Sequence, residues 1–162
     1  SLLLSKLHII KTMKQVLTFI TFLIFSTSIH AKDNNIFTPV SDLFLAVSNV
    51  DHSQMRAAVD DSFLLLEHGE VWTINDFINV VKPSDFIRTN YFSVINSRVV
   101  GDVAFINYWN KANIKNTQRS IDIYWLESVV VSKVGDKWLL SQMHSTRLPQ
   151  DEIPKGVTFI KQ

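Results

Sequence analysis

Two Gly-Asp pairs divide the second half of this chain into four long apolar-rich runs, and they constrain the fold more than any other feature. Phe86 to Val100 and Val103 to Ile114 flank Gly101-Asp102, while Ser120 to Val134 and Lys137 to Leu148 flank Gly135-Asp136. Short Gly-containing turns between runs rich in β-branched and aromatic residues signal hairpins. The first half reads differently. Thr38-Pro39 marks a helix start, with Thr38 as N-cap and Pro39 at the first helical position, and Val40, Leu43, Phe44 and Val47 follow at helical spacing. Asn49-Val50-Asp51 breaks that helix, and Asp51 caps a second, His52 to Val59, with Met55 and Ala58 inward and Asp60-Asp61 at its end. Ser62 to Glu67 is a short strand, His68-Gly69-Glu70 a turn, and Thr73 caps a third helix, Ile74 to Val81, closed by Pro83. Helices followed by a meander of long strands, without repeat or linker, predict one α+β domain with helices on one sheet face.

The last hairpin can be registered from its turn. With Gly135-Asp136 as a two-residue turn, Val134 faces Lys137, Val131 faces Leu140, Val129 faces Gln142 and Glu127 faces His144. Alternation then puts Ile121, Ile123, Trp125, Glu127, Val129 and Val131 on the inner face, with Trp138, Leu140, Gln142 and His144. A turn longer by one residue breaks the Glu127–His144 pairing.

Composition narrows the function. The chain has 162 residues, 46% of them hydrophobic and 19% charged, which is enough for one packed domain. There is no cysteine, so disulfides, thiolate metal sites and Cys nucleophiles are excluded. From Lys32 onward there are 13 Lys and Arg against 15 Asp and Glu, a balance that argues against a nucleic-acid partner. His52, His68 and His144 lack ligand spacing, and no Gly-rich phosphate loop is present, so neither a metal nor a cofactor is expected.

The beginning of the chain reads as an address. Gln15 to Ile29 carries no charge, Lys14 precedes it, and Ser26-Thr27-Ser28-Ile29-His30-Ala31 closes it with small residues. A positive start, an apolar middle and a small-residue exit make a secretory signal peptide. The uncharged run has 15 residues, shorter than the roughly 20 that span a bilayer. The expected organisation is an upstream extension over 1–12, a signal peptide over 13–31, a domain over 32–148 and a tail over 149–162. The product is expected in the periplasm or outside the cell, without a stable membrane anchor after processing. An uncleaved anchor is the other reading.

The order of these parts resembles the SnoaL-like family of the nuclear-transport-factor-two-like superfamily, to which ketosteroid isomerase belongs. The resemblance rests on Asp60-Asp61-Ser62-Phe63, Gly101-Asp102-Val103-Ala104, Gly135-Asp136-Lys137-Trp138 and the closing His144-Ser145-Thr146-Arg147, and covers about residues 38 to 148. It implies a cone: a strongly bent antiparallel sheet wrapped around the N-terminal helices, a pocket at the open end, and frequent homodimers. It implies no single activity.

Glu127 and His144 are the candidate catalytic pair. A carboxylate facing an imidazole among apolar neighbours can do acid–base work, although a buried polar pair that orients the pocket wall is the plainer and preferred account. The isomerase branch implies an acid on the early strand, which falls on Glu67; a turn-flanking surface acid is the plainer reading. A two-residue turn at Gly101-Asp102 puts Tyr91, Ser93, Ile95, Ala104, Ile106 and Tyr108 on the inner face, as a small apolar pocket with hydroxyl tips or as ordinary core. Trp125 and Gln142 share that inner face as ligand contacts, and Arg147 can meet an anionic ligand. The same register leaves Phe92, Val94, Phe105, Trp109, Tyr124 and Leu126 outside, rimmed by Arg88, Asn96 and Arg98. Such a patch predicts a homodimer through the outer sheet face, unless Ile153, Val157, Phe159 and Ile160 of the tail fold back over it. The expected function is binding of a small organic molecule inside the cone by an exported protein. A cofactor-free isomerase, lyase or hydratase and an envelope protein-binding module are the alternatives.

Overall fold

The computed structural model describes residues 35–162, so the expected extension and signal peptide lie outside the described residues. Helix α1 runs from Thr38 to Asn49. Its cap position is held by Phe37, not Thr38, because the chain turns earlier than expected: Asn35 Oδ1 accepts from the Phe37 amide at 2.9 Å, and the Phe37 carbonyl already accepts from Ser41. Val50 ends the helix in the left-handed region at φ 54°. Asp51 then caps α2 (His52–Ala57) by accepting from the Gln54 amide at 3.0 Å. The Ala58 carbonyl accepts from the Leu140 amide at 3.0 Å, which draws the chain into the sheet and stops α2 short of Val59. Strand β1 therefore starts at Val59 and runs to Glu67, with Asp60-Asp61 inside it. A tight turn at His68-Gly69 leads to β2 (Glu70–Thr73), a strand the sequence reading lacked. Thr73 and Asp76 form a reciprocal capping box at the start of α3 (Ile74–Val80).

Four long strands follow: β3 (Ile87–Val100), β4 (Val103–Lys115), β5 (Ser120–Val134) and β6 (Lys137–Leu148). Gly101 and Gly135 turn the two hairpins at φ 59° and 60°, where a side chain would be strained. A 3₁₀ turn at Gln150–Glu152 and a short β7 (Ile160–Lys161) complete the chain. The seven strands form one sheet in the order β2-β1-β6-β5-β4-β3-β7. The sheet is mixed, not wholly antiparallel as expected, because β1 and β6 are parallel. β1 enters from a helix instead of a hairpin, so no tight turn imposes an antiparallel partner.

Two bulges shift the expected registers. β3 places 14 residues against 13 of β4, and the extra residue lies between Val94 and Asn96. In the last hairpin Val134 does face Lys137 and Val131 faces Leu140, but a shift between Val130 and Val131 puts Val130 opposite Gln142. One inserted residue moves every later side chain to the other face. The inner face beyond the bulges thus carries Arg88, Asn90 and Phe92 from β3, and Met143 and Ser145 from β6. Val40, Leu43 and Phe44 of α1 and Met55 of α2 pack on this face against Ile106, Tyr108, Val129, Val131 and Leu140.

The tail crosses the outer face. Phe159 packs on Tyr124 with ring centroids 5.9 Å apart, and Ile160 and Lys161 pair with Phe92 and Tyr91 at the sheet edge. Tyr124 is buried, while Phe105 and Leu126 keep 46% and 38% of their surface exposed, so the tail covers only part of the outer apolar patch. Phe92 and Arg88, expected outside, face inward for the reason of register given above. Among the described residues, no helix is long and apolar enough to cross a membrane.

Candidate functional site

Much of the concave side is filled. Phe37 meets Phe92 and Tyr108 edge-on at centroid distances of 5.3 and 5.2 Å, and Phe44 lies 5.6 Å from Phe92. The expected pocket of Tyr91, Ser93, Ile95, Ala104, Ile106 and Tyr108 is therefore absent as such. Ala104, Ile106 and Tyr108 are core, but the bulge turns Tyr91 outward, where Lys111 Nζ lies 4.9 Å from its ring.

A smaller cavity of about 80 Å³ remains, bounded by α1, α3, β1, β3, β5 and β6. Phe44, Leu65, Phe77 and Met143 supply its apolar wall, and Glu67, Arg88, Trp125, Glu127 and Ser145 its polar groups. Glu127 is 4% exposed. Its Oε2 accepts from Asn110 Nδ2 at 3.1 Å, and its Oε1 accepts from Ser145 Oγ at 3.0 Å. Tyr108 is its direct partner across β4 and β5. The Tyr108 hydroxyl makes no hydrogen bond of good geometry, and Asn110 Oδ1 likewise has no partner among the described residues. Burial pushes the Glu127 carboxyl above the usual glutamate range, against the pull of the donor groups on Tyr108, Ser145 and Asn110 and of the Arg88 charge. Burial, and then the neighbouring Glu127, push the Tyr108 phenol well up, so it stays protonated.

Arg88 is held between two rings, its guanidinium carbon 5.4 Å from the Phe44 centroid and 5.6 Å from that of Trp125. Its Nε donates to Asn90 Oδ1 at 2.7 Å. Burial lowers its pKa, opposed by the charges of Glu127 and Glu67, but an arginine starting so high remains cationic. Glu67, at the end of β1, accepts from Trp125 Nε1 at 3.3 Å and lies 3.7 Å from His68 Nε2.

The expected pair does not form. Glu127 faces Ser145, and His144 faces Ser128 on the outer surface, because the bulge by Ser141 moves the register by one. Gln142 pairs with Val130 and is exposed outside for the same reason. Arg147 pairs with Trp125 but sits exposed at the strand end, beside a separate shallow pocket with Asp122 and Pro149. Of the residues singled out from sequence, Glu127, Glu67 and Trp125 meet at the cavity, and Tyr108 lies beside Glu127 on the neighbouring strand. Arg88, Asn110 and Ser145 were missed. The alternation Arg88, Asn90, Phe92 carried a signal, since an aromatic in that period belongs inside, but it conflicted with a register counted from Gly101-Asp102 without a bulge. Among the described residues no group of His, Asp and Glu is arranged to hold a metal ion.

No protein-family model matches the chain, and no curated protein matches it. Solved structures do. An NTF2-like protein from Cytophaga hutchinsonii superposes with a TM-score of 0.59 at 16% identity, covering 70% of this chain and 95% of that one. A ketosteroid isomerase-like protein from Erwinia carotovora atroseptica gives 0.56 at 14% identity, covering 70% and 94%. The association domain of C. elegans CaMKII gives 0.58 at 18% identity, covering 68% and 92%. These likenesses establish the NTF2-like α+β fold over most of the described domain.

Proposed function

We propose that this NTF2-like chain binds a small organic molecule inside its cone. One observation carries the reading: a cationic and a carboxyl side chain, Arg88 and Glu127, converge on the same small cavity against an apolar wall. Few precisely placed polar groups in an apolar recess are what a ligand site requires. At about 80 Å³ the cavity suits a small molecule, or one group of a larger ligand whose remainder lies at the mouth. Native mass spectrometry of protein purified under gentle conditions tests this. A retained small mass, lost when Trp125 is replaced by Ala, is the expected result. No retained mass, together with no shift in melting temperature across a small-molecule panel, would sink the reading.

The sequence pattern around Ala31 supports export, with Lys32 as the first residue of the mature chain. N-terminal sequencing of exported material tests it, and an intact hydrophobic segment in the membrane fraction would overturn it. A second reading concerns assembly: exposed Phe105 and Leu126 on the outer sheet face support a homodimer through that face. The likeness to an association domain points the same way.

A further inference from the structure

We infer that the cavity recognises a carboxylate, seated on the terminal NH₂ groups of Arg88. This rests on the reading of the cone as a ligand site and names the class of ligand. Arg88 is enclosed by Phe44 and Trp125 and lines the cavity. Among the described residues, its one hydrogen bond leaves through Nε to Asn90, which fixes the plane of the guanidinium and leaves both NH₂ groups without a protein acceptor. Neither cavity carboxylate pairs with it: among the described residues and within 4 Å, Glu67 meets only the His68 ring of the basic groups, and Glu127 meets none. Both acids are engaged elsewhere, Glu67 by Trp125 and Glu127 by Asn110 and Ser145. Arg88 is half-buried, so its pinned guanidinium keeps donors that a ligand entering the cavity can reach. The Arg fork matches a planar two-oxygen anion.

The planar guanidinium fork, pinned through Nε, matches the two coplanar oxygens of a carboxylate better than a tetrahedral anion. Charge points the same way. Two acids line the cavity, so a dianion meets more repulsion than a monoanion. Burial raises the Glu127 pKa, so its opposing charge is lost at a higher pH than that of an ordinary glutamate. The apolar wall of Phe77, Leu65 and Met143 leaves room for a short alkyl or aryl portion.

Ligand-observed NMR and calorimetry on the purified protein test this with four probes: butyrate, butyramide, butylammonium and inorganic phosphate. Saturable binding of butyrate in preference to the other three is expected. Arg88→Gln should lower butyrate affinity by about tenfold or more, and Arg88→Lys, which keeps the charge without the fork, should fall between. Circular dichroism of both variants establishes that they fold; if Arg88→Gln does not, the Arg88→Lys loss decides. Equal binding of butyramide, selective binding of butylammonium, or unchanged affinity in a folded Arg88→Gln would overturn the carboxylate while leaving the cavity reading intact. Phosphate displacing butyrate at equal or higher affinity would reduce the claim to general anion binding and overturn carboxylate selectivity. If none of the four binds, the carboxylate inference is overturned, and the retained-mass and melting-temperature test above decides the cavity reading separately.

Discussion

Asn90 is the hinge between Arg88 and the rest of the fold. Its Oδ1 accepts from Arg88 Nε at 2.7 Å, while its Nδ2 donates to the Phe44 carbonyl at 3.0 Å and to Ser48 Oγ at 2.8 Å. One buried amide thus ties the cavity arginine to α1. The tail reaches the same residue: Gln162 donates its backbone amide to the Asn90 carbonyl at 3.0 Å, and its side-chain oxygen accepts from Asn90 Nδ2 at 3.3 Å. Asn90→Ala should therefore cost about 1–3 kcal/mol in urea unfolding, because Arg88 loses its anchor and the link from β3 to α1 is cut, leaving the Phe44 carbonyl the Ser48 hydroxyl as its side-chain donor. A cost near zero would mean that water replaces the amide.

Glu127→Gln should remove a pH dependence. The folded carboxyl binds its proton more tightly than the unfolded one, because burial disfavours the charge. Between the ordinary glutamate value and the raised folded value, the native state holds more protons, so stability falls as pH rises through that window. Below the window the cost is gone; above it the cost is complete. Above that window, Glu127→Gln should match or exceed the parent in stability, by on the order of 1 kcal/mol, with a flatter pH profile. A profile that keeps its slope in the variant would assign the titration elsewhere.

Tyr108→Phe should be close to neutral, or stabilising by up to about 1 kcal/mol, since the buried hydroxyl makes no well-formed hydrogen bond. For the same reason the Glu127 pKa should hardly move. Carboxyl NMR titration reads this second effect, and a clear rise in the Glu127 pKa would mean that the hydroxyl donates to the carboxylate.

His144→Ala should change stability by no more than about 0.5 kcal/mol, because the side chain is exposed outside. Its neighbour Met143, 1% exposed in the core, should cost about 2–5 kcal/mol when replaced by Ala. The contrast tests the bulge directly: with an unbroken register, His144 would be the inward residue and the costs would reverse.

The outer-face dimer predicts that Phe105→Ser with Leu126→Ser shifts the sedimentation-equilibrium mass toward that of one chain. The competing outcome is a monomer that associates only when the chain is ended at Leu148. The uncovered Tyr124 would then show that the tail is the main cover of this face.

The elements were legible where the signal is local. Asp51 and Thr73 cap the helices expected of them, both Gly-Asp turns form, and all four long strands lie within a residue or two of their expected bounds. β2 escaped because its four residues hold little alternation, and they owe their pairing to β1 across the His68-Gly69 turn. The candidate site was legible in part. Glu127 and Trp125 meet at the cavity from the inner face assigned to them, and Glu67, suggested by the resemblance alone, joins them, whereas His144, Gln142 and Tyr91 were assigned to a face that a bulge had exchanged.

Element type, chain order and the apolar faces near each turn follow from sequence alone, because capping, turn chemistry and alternation act within a few residues. Which side chains meet at the cavity was decided only in the tertiary structure. A bulge inserts one residue where the curved sheet must bend around α1, and that need comes from packing between segments distant in sequence. The single-residue steps near Ile95 and Ser141 bring Arg88 and Ser145 to Glu127 and turn His144 away.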